Sequence, residues 1–157
     1  MITLRKVGPR DRTLLFNLLQ KYLSEMMRFY PEPVEDDGNY DYPYFDAYFT
    51  DPDRDAYIIL YYDVIAGFAM VNRHSCVGDP IDHAVAEFFV LPAHRRHEVG
   101  LCAARLLFRM HPGRWEVKYH QQNEGAAAFW KRAIGRFNPA HRLLPSKEAV
   151  YSFTVQA

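Results

Sequence analysis

The feature that most constrains the fold is the stretch from Ala86 to Met110, which has the pattern of a strand, a basic turn and a helix. A short apolar run headed by Glu87 ends at Pro92, and a turn with two arginines and two histidines follows. From Val99 onward apolar residues recur every three or four positions, which predicts an amphipathic helix. The apolar face of this helix is predicted to comprise Val99, Cys102, Ala103, Leu106, Leu107 and Met110.

The N-terminus of this helix is a candidate anion site. The first amides of a helix have no intrahelical acceptors, and they lie at the positive end of the helix dipole. Arg95 and Arg96 add formal charge there, and Gly100 removes a side chain from the first turn, so that a ligand can approach the backbone. A diphosphate fits such a site. A surface turn with solvated arginines would have the same sequence.

The turn resembles the signature of the GNAT superfamily of N-acetyltransferases. That signature is an Arg or Gln, two residues, Gly, one residue and then Gly or Ala, between a strand and a helix. Here it corresponds to the segment from Arg95 to Gly100, with Glu98 in place of the first glycine and Gly100 as the second.

A second element at the expected distance strengthens the resemblance. The predicted strand 114–122 is followed by Asn123, Ala126 and Trp130, where the family has Asn, Ala and usually Tyr. The tryptophan is thus a second departure from the family pattern. Together the two elements cover roughly residues 84 to 137.

The resemblance implies acetyl-CoA as the co-substrate and no metal. The backbone amides near Phe89 to Leu91 would hold the thioester carbonyl, as an oxyanion hole does. The implied cofactor-binding residues are Phe89, Val90, Leu91, Arg95, Arg96, His97, Glu98, Val99, Gly100, Leu101, Asn123, Ala126, Phe129 and Trp130.

Glu87 is the first candidate for a general base. A carboxylate at the head of an apolar strand is expected to be solvated, paired or functional, and some GNAT enzymes use a glutamate at the like position. Alternation puts Glu87, Phe89 and Leu91 on one face of the strand. His120 is the alternative base, because its ordinary pKa lies near neutrality. For the general acid, Tyr119 and Tyr151 are open alternatives, with water a third.

The segment from Pro31 to Asp55 is a candidate acceptor site. It holds nine acidic residues against one arginine, and aromatic residues are interleaved with them. Such a wall would attract a cationic amine by charge steering and cation–π contact, although a solvated loop with aromatic anchors remains an alternative. The predicted substrate-binding residues are Phe29, Asp36, Asp37, Tyr40 and Tyr42.

The whole chain is predicted to be a single domain over residues 1–157. Strands are expected near both termini and in a hairpin at 56–72, and helices at 11–29, 99–110 and from Asn123 onward. This order, with the resemblance, predicts an α/β (α+β) GNAT-like fold with a mixed, mostly antiparallel sheet and helices on both faces. The two cysteines have no metal-site spacing, and Cys102 is expected in the core.

The composition limits the classes of function that the chain can have. Nineteen basic residues balance nineteen acidic ones, which argues against a nucleic-acid binder. No signal segment or membrane span is evident, so a cytoplasmic protein without a membrane partner is expected. The predicted function is acetyl transfer to a small, cationic amine, with a homodimer open as an assembly. The alternative is an acyl-CoA-binding sensor or partner protein of the same fold that has lost turnover.

Overall fold

In the computed structural model, which describes residues 1–157, seven strands form one sheet and helices pack on both of its faces. The strands are β1 (Ile2–Lys6), β2 (Asp55–Tyr61), β3 (Val64–Asn72), β4 (His83–Val90), β5 (Gly113–His120), β6 (Ala140–Leu143) and β7 (Glu148–Val155). The helices are α1 (Arg12–Met26), α2 (Ala47–Thr50), α3 (Val99–Met110) and α4 (Glu124–Ile134). None of them is both long enough and apolar enough to cross a membrane.

The strand order in the sheet is β1-β2-β3-β4-β5-β7-β6. Every neighbouring pair is antiparallel except β4 and β5, which run parallel with α3 as their crossover. The predicted mixed, mostly antiparallel sheet is therefore confirmed.

Each face of the sheet has its own apolar core, because alternate residues of a strand point to opposite faces. Leu15, Leu18 and Leu19 of α1 pack with Ile58 and Phe68 on one face. Helices α3 and α4 cover the other face, and their buried residues surround the fully buried Trp115. The predicted alternation along β4 is confirmed, because Phe89 joins the α1 side whereas Phe88 packs on the α3 and α4 side.

The buried face of α3 differs from the predicted one. Cys102 and Met110 are exposed, so the expectation of a core position for Cys102 was wrong. The helix contacts β1, β4 and α4 at once, and it therefore buries a wider arc than a single 3–4 stripe. Its buried residues are Val99, Leu101, Ala103, Ala104, Leu107 and Phe108.

Strands β4 and β5 separate along their length. Their pairing covers only three positions, from His83 opposite Trp115 to Val85 opposite Val117. On its other side β4 stays paired with β3, and the register shift there leaves Ala86 as an extra, bulged residue. A gap in the sheet consequently opens directly after the bulge, beside Glu87.

Gly67 allows β3 to approach β4 closely at this point. A Cβ on Gly67 would lie 2.0 Å from the carbonyl oxygen of Phe89. No side chain fits there without movement of the backbone. The glycine thus fixes the path of the half of β4 that borders the gap.

Candidate active site

Three adjoining cavities follow the gap between β4 and β5. The basic cavity, of about 760 Å³, lies against the N-terminus of α3 and is lined by four arginines. The central cavity, of about 200 Å³, lies between the separated strands and is lined by Glu87, Lys118 and Trp130. The acidic cavity, of about 490 Å³, is lined by four carboxylates and by Lys118. Tyr22 and Met26 of α1 line all three, and Glu87 lines the central and acidic cavities.

Most of the predicted cofactor-binding residues come together around the basic cavity. Those that line it are Phe89, Val90, Arg95, Arg96, Glu98, Gly100, Leu101, Asn123, Ala126, Phe129 and Trp130. Three predicted residues do not line it: Leu91 packs on the α1 side of the sheet, His97 stacks on Tyr61 with ring centroids 5.7 Å apart, and Val99 is fully buried. For His97 and Val99, only the backbone remains available to a ligand in this cavity.

The backbone amides of β4 point alternately toward β3 and toward the gap. The Leu91 amide donates to the carbonyl of Ala66 at 2.7 Å, so it is not free to hold a thioester carbonyl. Because strand groups alternate, the amide of Val90 points away from β3, toward the gap. The carbonyl of Val90 confirms this direction, since it accepts a hydrogen bond from Nε of Arg95 at 2.8 Å. Val90 is thus the better placed donor.

The two arginines of the turn differ in their surroundings. The guanidinium of Arg95 donates to both carboxylate oxygens of Glu25 on α1, at 3.0 and 2.8 Å, and lies over the ring of Phe89. Arg95 thereby ties the turn to α1. Arg96 lines the same cavity and has no ion-pair partner, so its charge is available to an anion.

Glu98 occupies the left-handed region, with φ of 55°. Glycine adopts this conformation without steric strain, whereas it costs other residues about 1–2 kcal/mol, which accounts physically for a glycine at this point of the GNAT signature. The carboxylate of Glu98 pairs with Arg132 of α4. Its charge is therefore balanced beside the cavity.

The start of α3 presents free amides to the basic cavity. Cys102 donates the first helical hydrogen bond, to the carbonyl of Glu98, so the amides of Val99, Gly100 and Leu101 have no intrahelical acceptor. Gly100 serves packing as well as access. A Cβ there would lie 3.0 Å from the ring of Phe129 and 3.3 Å from Val90.

Glu87 lies at the point where the central and acidic cavities meet. One carboxylate oxygen accepts a hydrogen bond from the hydroxyl of Tyr22 at 2.8 Å, and the other accepts one from Tyr42 at 2.7 Å. Burial raises the pKa of Glu87, and the two hydroxyls, which stabilise the ionised form, oppose that rise. Glu87 is the predicted base that the fold places between two cavities.

His120 is less suited to proton uptake. Its Nδ1 accepts the amide hydrogen of Gln122 at 3.1 Å, so the neutral ring carries its proton on Nε2. The buried ring stacks on Phe29, with centroids 5.5 Å apart, and meets Tyr30 edge-on. Both nitrogens are therefore unavailable as acceptors in this neutral form.

The structure also shows the surroundings of the candidate general acids. The Tyr119 hydroxyl lies 2.9 Å from Nε2 of His141, and burial raises its pKa to about 12. Tyr151 is buried and stacks on both of these rings. Trp130 is buried against Phe88 and lines the central and basic cavities. The side chain of Asn123 caps α4 by accepting from the Ala126 amide at 3.0 Å.

The predicted acceptor residues do not all lie in one cavity. Tyr42 lines the acidic cavity. Phe29 lines the basic cavity instead, and none of the three cavities is lined by Asp36, Asp37 or Tyr40. Asp36 and Asp37 are exposed, because the segment docks onto α1 through the backbone of Tyr40 and leaves the aspartates on its outer side.

The acidic cavity contains residues that the sequence did not single out. Glu116 is only 2 % exposed, and its carboxylate accepts from the Ser75 hydroxyl at 2.6 Å and from the amide and thiol of Cys76, each at 2.8 Å. Tyr22 and Lys118 complete this group. The sequence did contain a signal for Glu116. It is an acid between Trp115 and Val117, and a carboxylate in an apolar strand needs hydrogen-bond partners or has a function.

Comparison with known proteins adds the family. The model of the acetyltransferase (GNAT) family matches residues 19–135. No curated protein sequence matches the chain. Among solved structures, an acetyltransferase from Thermus thermophilus has a TM-score of 0.70 at 14 % identity, over 99 % of this chain and 97 % of the other.

Two structures of the aminoglycoside acetyltransferase AAC(6')-Ib are similar to the same degree. One, in complex with coenzyme A and kanamycin, has a TM-score of 0.70 at 14 % identity and covers 99 % of this chain and 95 % of its own. The other contains acetyl-CoA, with a TM-score of 0.70 at 14 % identity over 98 % and 93 %. At this identity the likeness shows the fold. The family model spans most of the chain, and the protein therefore belongs to the acetyltransferase (GNAT) family of enzymes.

Proposed function

We propose that this protein transfers the acetyl group of acetyl-CoA to a primary amine of a small, cationic acceptor. The observation that carries the proposal is the position of Glu87 in the central cavity, which lies between the arginine-lined cavity and the carboxylate-lined cavity at the gap between β4 and β5. An anionic cofactor and a cationic acceptor would enter from opposite sides and meet at this carboxylate. The coenzyme A and kanamycin bound by AAC(6')-Ib are ligands of these two kinds.

The basic cavity is proposed to hold acetyl-CoA. The free amides of Val99, Gly100 and Leu101 and the uncompensated charge of Arg96 suit the diphosphate. The pantetheine arm would lie in the gap, where the edges of the two strands lack partners. The amide of Val90 would then donate to the thioester carbonyl and stabilise negative charge on its oxygen during attack.

Glu87 is proposed to act as the general base. The acceptor enters as an ammonium ion, and the carboxylate of Glu87 takes one of its protons, through one water molecule or directly. The neutral nitrogen attacks the thioester carbon, the C–S bond breaks with the electron pair leaving on sulfur, and the nitrogen loses its second proton to water to form the amide. The raised pKa of Glu87 suits proton uptake from an amine, because burial makes the carboxylate a stronger base than in water.

The leaving thiolate is proposed to take its proton from solvent. An indole N–H is no proton acid near neutral pH, so Trp130 cannot take the part of a tyrosine. The hydroxyl of Tyr119 is paired with His141, and its pKa is raised to about 12. A coenzyme A thiolate is a stable leaving group and requires no strong acid.

The acidic cavity is proposed to hold the acceptor. Glu32, Asp41, Glu87 and Glu116 outnumber the single cation Lys118, which is itself paired with Glu148. Tyr42 and Tyr44 add aromatic surface, which favours cationic groups. This balance supports an amine acceptor with positive charge over an anionic one.

The test is release of coenzyme A thiol from acetyl-CoA with a panel of primary amines. Glu87→Gln is expected to lower kcat by about 10²–10⁴-fold, with the affinity for acetyl-CoA unchanged. The loss should shrink at high pH, where more of the amine is already neutral. The control is Asp63→Asn, which changes an exposed acid in the turn between β2 and β3, outside the three cavities.

Two results would contradict this assignment. A Glu87→Gln enzyme within about threefold of the wild type at every pH would give Glu87 a structural role, since loss of a general base costs far more. Thermal stabilisation by acetyl-CoA without thiol release from any amine would support the non-catalytic alternative instead.

A further inference from the structure

Both oxygens of the Glu87 carboxylate are held by tyrosines from outside its own strand. Tyr22, 65 residues away, donates to Oε1 at 2.8 Å, and Tyr42, 45 residues away, donates to Oε2 at 2.7 Å. Neither contact arises from the sheet or from sequence proximity. The carboxylate is thus held from two directions at the edge of the cavities.

The hydroxyl of Tyr22 is fixed by packing. Its ring meets Phe68 and Phe89 edge-on, with centroids 5.8 and 5.9 Å apart. The buried Leu18 and Leu19, one turn earlier, seat α1 on the sheet. A ring held in this way has no freedom to carry its hydroxyl elsewhere, so the contact with Glu87 is preorganised.

The hydroxyl of Tyr42 is fixed by a different device. Tyr42 lies in the irregular segment between α1 and α2, which the side chain of Gln20 clamps to α1. Gln20 donates to the carbonyl of Tyr40 at 2.8 Å and accepts from its amide at 2.7 Å. Further along, the guanidinium of Arg54 lies 4.8 Å from the ring of Tyr44. The segment is anchored on both sides of Tyr42.

We propose that Tyr22 and Tyr42 are positioning residues for Glu87, orienting its carboxylate toward the acceptor amine and keeping it ionised in a buried site. The inference rests on the proposed function, in which Glu87 takes the proton of that amine. It assigns a task to α1 and to the irregular segment between α1 and α2, beyond shaping a cavity.

The other charged groups around Glu87 contribute less to its ionisation. Lys118 of β5 favours the charged form, and Glu148 of β7 opposes it. These two form an ion pair with each other at 3.3 Å, so their effects partly offset. Tyr30 and Tyr48 also lie near the site. The hydroxyl of Tyr30 donates to Glu148, and that of Tyr48 is hydrogen-bonded to Asn72 and Tyr42. Among the groups that lower the pKa of Glu87, Tyr42 and Tyr22 have the largest effects.

The test compares Tyr22→Phe and Tyr42→Phe with the wild type. Phenylalanine keeps the ring and removes only the hydroxyl. Each variant is expected to lower kcat about tenfold at neutral pH and to move the acid limb of kcat/KM upward by about one pH unit, because a hydrogen bond to a charged group is lost. The dissociation constant of acetyl-CoA, measured by calorimetry, should not change.

Tyr57→Phe is the matched control. It removes a hydroxyl that is bonded to His111 at 2.7 Å on the far side of the sheet, outside the three cavities. Its pH profile should coincide with that of the wild type. If Tyr22→Phe fails to fold because its helix packs on the core, Tyr42→Phe in the irregular segment carries the test.

A direct titration separates this inference from the proposed function. Carbon-13 NMR of labelled glutamate, with the Glu87 signal identified through Glu87→Gln, reports the ionisation of Glu87 without turnover. A midpoint that rises in both tyrosine variants supports the inference. Unmoved midpoints together with a uniform loss of activity at every pH would overturn it and leave Glu87 as the base. An active Glu87→Gln enzyme would remove the proposed base, whatever the titration shows.

Discussion

Glu98 offers a test of how the basic cavity is built, because it combines a strained backbone with a charge. Its φ of 55° lies in the left-handed region, and its carboxylate pairs with Arg132. Glu98→Gly removes both features. Glu98→Ala and Glu98→Gln remove the charge but keep the strain.

The expected stability difference follows from the backbone. Alanine at this φ is strained by about 1–2 kcal/mol, whereas glycine loses about 0.5–1 kcal/mol more chain entropy on folding. The Gly variant should therefore be more stable than the Ala variant by about 0.5–1 kcal/mol, which raises Tm by about 1–4 °C in a chain of this size. The ion pair, with side chains 58 % and 65 % exposed, is lost equally in both and contributes about 0–1 kcal/mol.

The expected effect on binding follows from the charge. Removing a carboxylate near the proposed diphosphate site, and thereby freeing Arg132, is worth about 1 kcal/mol at a solvated distance of about 4 Å. All three variants should thus bind acetyl-CoA about fivefold more tightly. Calorimetry at two salt concentrations measures this, and the gain should shrink at high salt.

The three variants separate the two causes. Equal Tm values for Glu98→Gly and Glu98→Ala would refute the argument from backbone strain. Unchanged affinity in all three would show that the carboxylate lies too far from the diphosphate to matter. A gain confined to Glu98→Gly would assign the effect to chain geometry instead of charge.

Two further predictions concern the packing of β3 on β4 and the turn that follows β4. Gly67→Ala places a Cβ 2.0 Å from the carbonyl of Phe89 and should lower the free energy of unfolding by about 1–3 kcal/mol in urea titrations; Gly135→Ala, which meets open space, is the control, and equal stability of the two variants would contradict the reasoning. Arg96→Ala should weaken acetyl-CoA binding by about tenfold in calorimetry. Arg95→Ala should instead lower Tm, because Arg95 is held by a carboxylate of α1, and the opposite pattern would reverse the two roles.

The sequence predicted the fold well because its signals were local and periodic. The alternation along β4 and the helical spacing in α1 each depend on neighbouring residues, and both are present in the structure. The buried face of α3 was harder to predict. Helix α4 covers a second side of α3, and the local spacing of apolar residues does not show which other elements pack against a helix. Leu101, Ala104 and Phe108 are buried by these contacts, whereas Cys102 lies on the exposed side of the helix.

The candidate site was predictable only in part, for a physical reason. Glu87 stood out as an acid in an apolar strand, but its partners Tyr22 and Tyr42 are 65 and 45 residues away. Contacts between residues so far apart in sequence follow from the packing of α1 and of the irregular segment between α1 and α2, which composition does not reveal. In the same way, Arg95 and Arg96 are alike in sequence, and only the position of Glu25 distinguishes them.

The three-position pairing of β4 with β5 also has a mechanical consequence. It divides the sheet into a four-stranded half and a three-stranded half, whose backbones are joined by few hydrogen bonds at one end and diverge at the other. A cofactor bound in the divergence would contact the backbone of both halves. Loading the enzyme would then stiffen the seam, and the backbone amides that join β4 to β5 at this end would exchange with solvent more slowly than in the empty protein.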